Sequence, residues 1–237
     1  MPDDAAPLSG RTIPDDPAAI LFDLDGTIVD TVGTREEAWL RTFAEVSIPA
    51  DRAHIAGLIG CDGKRLAREV AALAGRQLDD DRAEAIDRRS GQLFTELNTD
   101  PRPLPGIVEL ITAMRASELP WSIATSSRAD QVHASIASLR LPKAPPVTDG
   151  TSVRHAKPAP DLLLLAAEQL GIAARRCWYV GDATWDMLAA RAAGMVGIGI
   201  TTGAVDEAAL RRAGASIVWP TVAGLLDELR ARRLLPG

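Results

Sequence analysis

From residue 107 onward, short apolar runs alternate with stretches of helical periodicity, and this alternation restricts the possible folds more than any other feature of the chain. The runs at 121–124, 178–180, 197–200 and 216–219 span three or four residues each and predict strands. A weaker strand candidate lies at 146–148. Between the runs, helices are predicted over 107–116, through Val132, Ile136 and Leu139, and over 160–170, 187–193, 207–213 and 222–229. Gly171 marks the C-terminal stop of the helix over 160–170. Short apolar strands separated by helices have both faces to bury, which calls for a parallel sheet with helices above and below. The predicted class is therefore α/β, a doubly wound, Rossmann-like parallel sheet.

The same logic extends back to residue 18. Ala18-Ala19-Ile20-Leu21 has the length and character of a buried strand and runs into Phe22-Asp23-Leu24-Asp25-Gly26-Thr27. Two carboxylates thus emerge where a strand meets a loop, and Gly26 lets the chain turn at once, so they need not stay parallel. Residues 31–103 read differently. Thr34-Arg35-Glu36-Glu37 has the form of a capping box, Trp39, Phe43 and Val46 fall at helical spacing, and Leu66, Val70 and Leu73 form another stripe. No strand is expected there. Asp100-Pro101-Arg102-Pro103-Leu104-Pro105-Gly106 closes the stretch as a stiffened hinge or linker. The expected organisation is a tail over 1–17, an α/β core from 18–30 and 104–237, and an all-α insert over 31–103.

Composition narrows the function. With 46% hydrophobic and 24% charged residues the chain is globular rather than disordered. A net charge of -6 argues against nucleic acid as a partner. No run has the length of a membrane helix, and Met1-Pro2-Asp3-Asp4 lacks a secretory pattern, so a soluble cytoplasmic protein with no membrane partner is expected. Nothing in the sequence specifies an oligomeric state. Cys61 and Cys177 match no metal-ligand pair, and Cys177 reads as a buried small hydrophobe.

In a parallel α/β sheet, ligands bind at the carboxyl ends of the strands. Four such places carry chemistry: Asp23 and Asp25 after the first strand; Thr125-Ser126-Ser127 after the second; Lys157 before Pro158; and Gly181-Asp182, with Asp186 four residues on. Carboxylates, a hydroxyl, backbone N–H groups and one ammonium facing one crevice suit phosphoryl transfer. A carboxylate can attack an anionic phosphate ester only where positive charge offsets the repulsion. Oxygen ligands from Asp23 and Asp182 suit Mg²⁺, while Lys157 and Thr125 would hold the phosphoryl oxygens.

With these four motifs in this order, the chain from about residue 18 to its last helix resembles the haloacid dehalogenase superfamily, in particular its helical-capped phosphoglycolate phosphatase and beta-phosphoglucomutase-like members. The resemblance implies that Asp23 is the nucleophile that forms an aspartyl-phosphate, that Asp25 is the general acid and base, and that Thr125 and Lys157 grip the phosphoryl group. It further implies Mg²⁺ held by Asp23, the backbone carbonyl of Asp25 and Asp182, with Asp186 in support. Gly26, Thr27 and Ser126 join the expected substrate contacts. The insert corresponds to the family's cap, which closes over the site and excludes water.

Dehalogenases replace the second aspartate of the first motif by tyrosine, and phosphonate-cleaving members by alanine. Asp25 therefore points to phosphate esters. The expected function is a Mg²⁺-dependent phosphatase acting on a small phosphorylated metabolite, phosphoglycolate-like or a sugar phosphate. The alternatives are a phosphomutase of the beta-phosphoglucomutase type and a phospho-acceptor module without turnover. Gly60-Cys61-Asp62-Gly63-Lys64-Arg65 interrupts the insert's helical pattern where related proteins reach toward the core, so Lys64 and Arg65 are candidates for an anionic substrate tail. Arg128 reads as a surface residue at a helix start, Trp39 as packing within the insert, and His155 as a loop residue without a role.

Overall fold

The computed structural model describes residues 15–236, and most of the expected tail over 1–17 lies outside them. The end of that segment is tied down: Trp178 Nε1 donates to the Asp15 carbonyl at 3.1 Å, and Asp16 pairs with Arg232 at 2.7 Å.

Six strands form one parallel sheet. β1 (Ala19–Phe22) lies at its centre, followed in the chain by β4 (Trp121–Ala124), β5 (Val147–Thr148), β6 (Cys177–Gly181), β7 (Val196–Ile200) and β8 (Ile217–Trp219), in the spatial order β5-β4-β1-β6-β7-β8. The order reverses at β1, between β4 and β6, which is where such sheets open a crevice. Side-chain alternation then divides the strands between two cores. Ile20, Phe22, Trp178 and Val180 pack beneath α5 (Ile107–Ala116) and α10 (Val222–Ala231). Ala19, Leu21, Cys177 and Tyr179 face α7 (Asp161–Gln169) and α8 (Thr184–Ala192). By this parity the next odd-numbered residue, Asp23, emerges on the side of Tyr179. α6 (His133–Ser138) joins the first of these cores through Ile136, and α9 (Glu207–Ala213) packs against Met187 of α8.

Between β1 and α5 the chain builds a helical lobe from α1 (Val32–Glu45), α2 (Arg52–Leu58), α3 (Gly63–Leu73) and α4 (Asp80–Leu97). Trp39, Phe43, Ile55, Leu66, Val70 and Ile86 give it an apolar cluster of its own, with Trp39 and Phe43 stacked at 5.6 Å. Two short strands mark where the chain leaves and rejoins the sheet: β2 (Val29–Asp30) pairs antiparallel with β3 (Arg102–Pro103). The proline-rich segment is thus a paired ribbon rather than a free linker. Periodicity missed it because two residues carry no pattern, and Pro103, lacking an N–H, is tolerated in a strand only where no bond is asked of it.

Three helix starts differ from the sequence reading. α1 begins at Val32, so Thr34 and Glu37 lie inside the helix and no capping box forms; the Thr31 hydroxyl, at the N-cap, donates to Asp25 instead. α8 begins at Thr184, which places Asp186 in its first turn, where its carboxylate accepts from the Ala183 N–H at 2.9 Å. α3 starts at Gly63, capped by Asp62, and carries Lys64 and Arg65 in its first turn. Among the described residues, no helix is long and apolar enough to cross a membrane.

Phe22 is fully buried in the central strand and meets Trp121 edge to face at 6.3 Å. Phe22→Ala should cost about 3–5 kcal/mol of stability. In urea unfolding the midpoint should fall with little change in the denaturant slope.

Candidate active site

The center of the site is a buried ammonium. Lys157 has no exposed surface, and its Nζ donates to Asp23 Oδ1 and to Asp186 Oδ1, both at 2.6 Å, with the Tyr179 hydroxyl at 3.2 Å. Each partner arrives from a different element: Asp23 from the end of β1, Asp186 from the first turn of α8, Tyr179 from β6. The Tyr179 hydroxyl in turn donates to the Ala124 carbonyl of β4 at 2.8 Å. Burial works against the charge on Lys157, but Asp186 and Asp23 outweigh it and hold the ammonium well above its ordinary range. For Asp23 the balance tips the other way. Burial, aided by the negative charge of Asp186 and opposed by Lys157, pushes its carboxyl up to about 7.

Asp25 sits two residues on in a different environment. Its Oδ1 accepts from Thr31 at 2.6 Å, and its Oδ2 accepts from Ser127 at 2.6 Å and Arg35 at 3.0 Å. Burial raises the carboxyl, yet the Arg35 guanidinium and the three donors prevail and hold it below the ordinary range. Adjacent carboxylates thus differ in charge preference. Gly26 turns the chain directly after them: its φ is +83°, and a Cβ there would lie 2.4 Å from Asp182 Oδ2.

Asp23, Asp182 and Asp186 bring carboxylate oxygens within 4.8 Å of one another, a set of hard donors that fits a divalent cation bound through oxygen. Asp186 is already occupied: Oδ1 receives Lys157 and Oδ2 the Ala183 N–H. Asp182 receives the Thr27 hydroxyl on Oδ1 at 2.7 Å, leaving Oδ2, and Asp23 retains its own Oδ2. Burial and the charges of Asp186 and Asp23 push the Asp182 carboxyl well up, an energetic cost that a bound cation would relieve.

A cleft of ≈ 470 Å³, its mouth included, opens above Asp23, Asp25 and Lys157 between the sheet and the helical lobe. Thr125 and Ser126 line it as the strand-end pattern predicts, and the turn before α3 reaches it through Gly60, Cys61 and Gly63. Two bonds close that turn onto the core, Asp62 N–H to the Lys157 carbonyl at 2.9 Å and Ser126 hydroxyl to the Gly60 carbonyl at 3.0 Å, and Trp185 Nε1 bonds the Gly57 carbonyl of α2 at 3.0 Å.

Several expected substrate contacts fall elsewhere. Thr27 lies beneath the cleft as a donor to Asp182, and the Gly26 carbonyl accepts from Thr202 at 2.6 Å. Lys64 and Arg65 are directed away from the cleft by the helix they begin: Lys64 Nζ lies 3.9 Å from Glu84, while Arg65 pairs with Glu69 and covers the ring of Trp185. Arg128 is no isolated surface residue, since it bonds Glu84 and Asp87 across the lobe boundary at 2.7 and 2.8 Å. Trp39 packs in the lobe and also borders the cleft; His155 is exposed and lies 3.2 Å from Asp161.

Sequence reasoning overlooked Arg35, Gln131, Tyr179 and Asp87, and it placed Ser127 at the end of a strand without giving it a role. Arg35 was hidden inside an apparent capping box. Its Nη1 donates to Gln131 at 2.7 Å, its Nη2 to Ser127 at 2.6 Å and to Asp25, and its guanidinium lies 3.4 Å from the centre of the Phe94 ring. The signal for Tyr179 was available: it is the chain's one tyrosine, placed in a strand whose neighbours are apolar.

Comparison with known proteins agrees with this geometry. The family model described as haloacid dehalogenase-like hydrolase matches residues 20–200, and the chain belongs to that family. It is 31% identical over 180 residues to fructose-1-phosphate phosphatase YqaB of Escherichia coli (strain K12), spanning 75% of this chain and 93% of that one. It is 28% identical over 191 residues to beta-phosphoglucomutase of Bacillus subtilis (strain 168), spanning 78% and 84% respectively. Among solved structures, a hydrolase from Pseudomonas syringae superposes with a TM-score of 0.84 at 33% identity, over 90% of this chain and 98% of that one. The phosphatase-named relatives accord with an enzyme of the phosphoric monoester hydrolase type.

Arg35→Met should raise the pKa of the Asp25 carboxyl, because the substitution removes its nearest cation and leaves burial in place. Carbon-detected NMR titration of the side-chain carboxyls would read this directly, and an unmoved Asp25 would contradict the assignment of Arg35 as the cause.

Proposed function

We propose that the protein is a Mg²⁺-dependent phosphatase of small phosphorylated metabolites that works through a phosphorylated Asp23. The observation that carries this reading is the asymmetry of two neighbouring carboxylates on one buried framework: Asp23 beside Lys157 and the oxygen cluster, Asp25 beside hydroxyls and Arg35. As the anionic ester enters, its charge favours the protonated form of Asp25; in the first step an oxygen of Asp23 then attacks phosphorus, the bond to the ester oxygen breaks, and Asp25 gives its proton to the departing alcohol. In the second, Asp25 takes a proton from water as the water oxygen attacks the aspartyl-phosphate, and inorganic phosphate leaves. Three donors around Asp25 suit the ionised form, which is the one the second step needs. Lys157 and Thr125 would steady the phosphoryl oxygens.

Mg²⁺ would be held by Asp23, the backbone carbonyl of Asp25 and Asp182, and when bound it supplies positive charge for the phosphate. Asp186 keeps Lys157 in place. The lobe from 31 to 103 serves as a cap over a core formed by 18–30 and 104–237, with Gly60, Cys61 and Ser126 sealing the approach.

Asp23→Asn should reduce phosphate release from an aryl phosphate by roughly 10³-fold or more, since the nucleophile is gone. Retained turnover in that variant would end the mechanism. The resemblance to beta-phosphoglucomutase makes a second measurement necessary: with hexose phosphates, released phosphate and isomerised product are assayed together, and isomerisation with organic phosphate conserved would favour a mutase.

Metal and proton compete for the same oxygens. In metal-free protein the raised Asp23 carboxyl binds protons more tightly than in the unfolded chain, so stability should fall as pH rises between about 4 and about 7. Asp182, shifted in the same direction, adds to that slope. Millimolar Mg²⁺ should therefore raise Tm more at about pH 8 than at about pH 5, and an equal response at both would argue against cation binding at these carboxylates.

A further inference from the structure

The cleft holds a carboxylate that the proposed chemistry does not use. Asp87, from α4, borders it on the lobe side. Arg128 bonds only one of its oxygens, Oδ2, through Nε at 3.1 Å and Nη2 at 2.8 Å. Oδ1 takes no hydrogen bond among the described residues and lies against Gly63, where a Cβ would come within 1.8 Å of it. Burial pushes the Asp87 carboxyl up in spite of Arg128, so the group gains from a further donor. Gln131 stands on the same wall, with its side-chain oxygen taken by Arg35.

The cations tell the complementary story. Among the described residues that line the cleft, only Arg35 and Lys157 are positively charged. Arg35 is committed to Asp25, Ser127 and Gln131, and Lys157 to Asp23 and Asp186. Lys64, Arg65 and Arg128 are each paired with carboxylates outside the cleft or at its wall. A leaving group carrying its own carboxylate or second phosphate would meet Asp87 with no uncommitted cation to receive it. One carrying hydroxyls would meet a carboxylate oxygen that no donor among the described residues occupies.

From this we infer that Asp87 is a specificity-determining residue whose free oxygen accepts substrate hydroxyls, selecting phosphate esters of neutral, polyhydroxylated alcohols, sugars or polyols, over esters with a second anionic group. This rests on the phosphatase reading and narrows its substrate class. Rejection comes from like charge and attraction from a hydrogen bond to a charged acceptor, so both halves of the discrimination reside in one side chain.

The test compares kcat/KM, by phosphate release, for a ketohexose phosphate, a hexitol phosphate and phosphoglycolate, with an aryl phosphate assayed alongside. The native protein should favour the two hydroxylated esters. Asp87→Ala should lower the ratio of hydroxylated ester to phosphoglycolate by about 10- to 100-fold, mainly through KM. Asp87→Asn, which keeps an acceptor and removes the charge, should lose less on the sugars and gain on phosphoglycolate. Gly63→Ala, which forces Oδ1 aside from the neighbouring helix, should move the ratio in the same direction as Asp87→Ala. A native preference for phosphoglycolate, or an Asp87→Ala loss equal for all esters, would overturn the inference while leaving the phosphatase intact. No phosphate from any ester, the aryl phosphate included, would bring down the proposed function and this inference with it.

Discussion

An ammonium buried without solvent holds this site together. Lys157 can remain charged in the interior only because Asp23 and Asp186 both stand 2.6 Å from it. Breaking such an arrangement by removing one partner costs about 3–5 kcal/mol, because the charge left behind is uncompensated. The elements that supply the partners are therefore held in mutual register by electrostatics as well as by the apolar contacts of β1, β6, α7 and α8. Tyr179 extends the network to β4 through the Ala124 carbonyl, so one side-chain cluster spans the crevice between β4, β1 and β6.

Arg35 plays the corresponding part between the two lobes. It is carried by α1, packs its guanidinium on Phe94 of α4, and ends on Asp25, Ser127 and Gln131 of the sheet side. A charge-assisted contact of this kind is strong only where water is excluded, and its side chain is 11% exposed. The position of the lobe and the electrostatic environment of Asp25 are consequently one variable: any movement of α1 away from the sheet also removes a cation from a carboxylate.

The sheet was legible because parallel strands buried on both faces leave continuous apolar runs, and β1, β4, β6, β7 and β8 all fall where those runs predict. Asp23, Asp25, Thr125, Lys157, Asp182 and Asp186 were legible for a related reason: strand ends are countable positions, and polar residues there stand out against apolar neighbours. What could not be read depends on angles between elements. Lys64 and Arg65 lie in the right turn by number, but the direction of α3 turns them toward Glu84 and Glu69. Arg35 and Asp87 enter the cleft from helix faces, and Gln131 from the turn before α6, and no linear pattern encodes how these are oriented. Thr31 carries a related lesson, since a hydroxyl at a helix start resembles a cap until a carboxylate from a distant turn claims it.

The pairing of β2 with β3 has a consequence for how the lobe relates to the rest of the chain. Its two connections to the sheet are hydrogen-bonded neighbours, with Val29 opposite Pro103 and Asp30 opposite Arg102, and Leu104 N–H bonds the Ile28 carbonyl at 2.9 Å. The sheet therefore meets some seventy intervening residues as it would meet a single hairpin, closed at its base by a spacing of about 5 Å. A segment attached in that way can be lengthened, shortened or exchanged without altering the distance the sheet must span. The reaction and the choice of what enters it are thereby separable pieces of covalent structure.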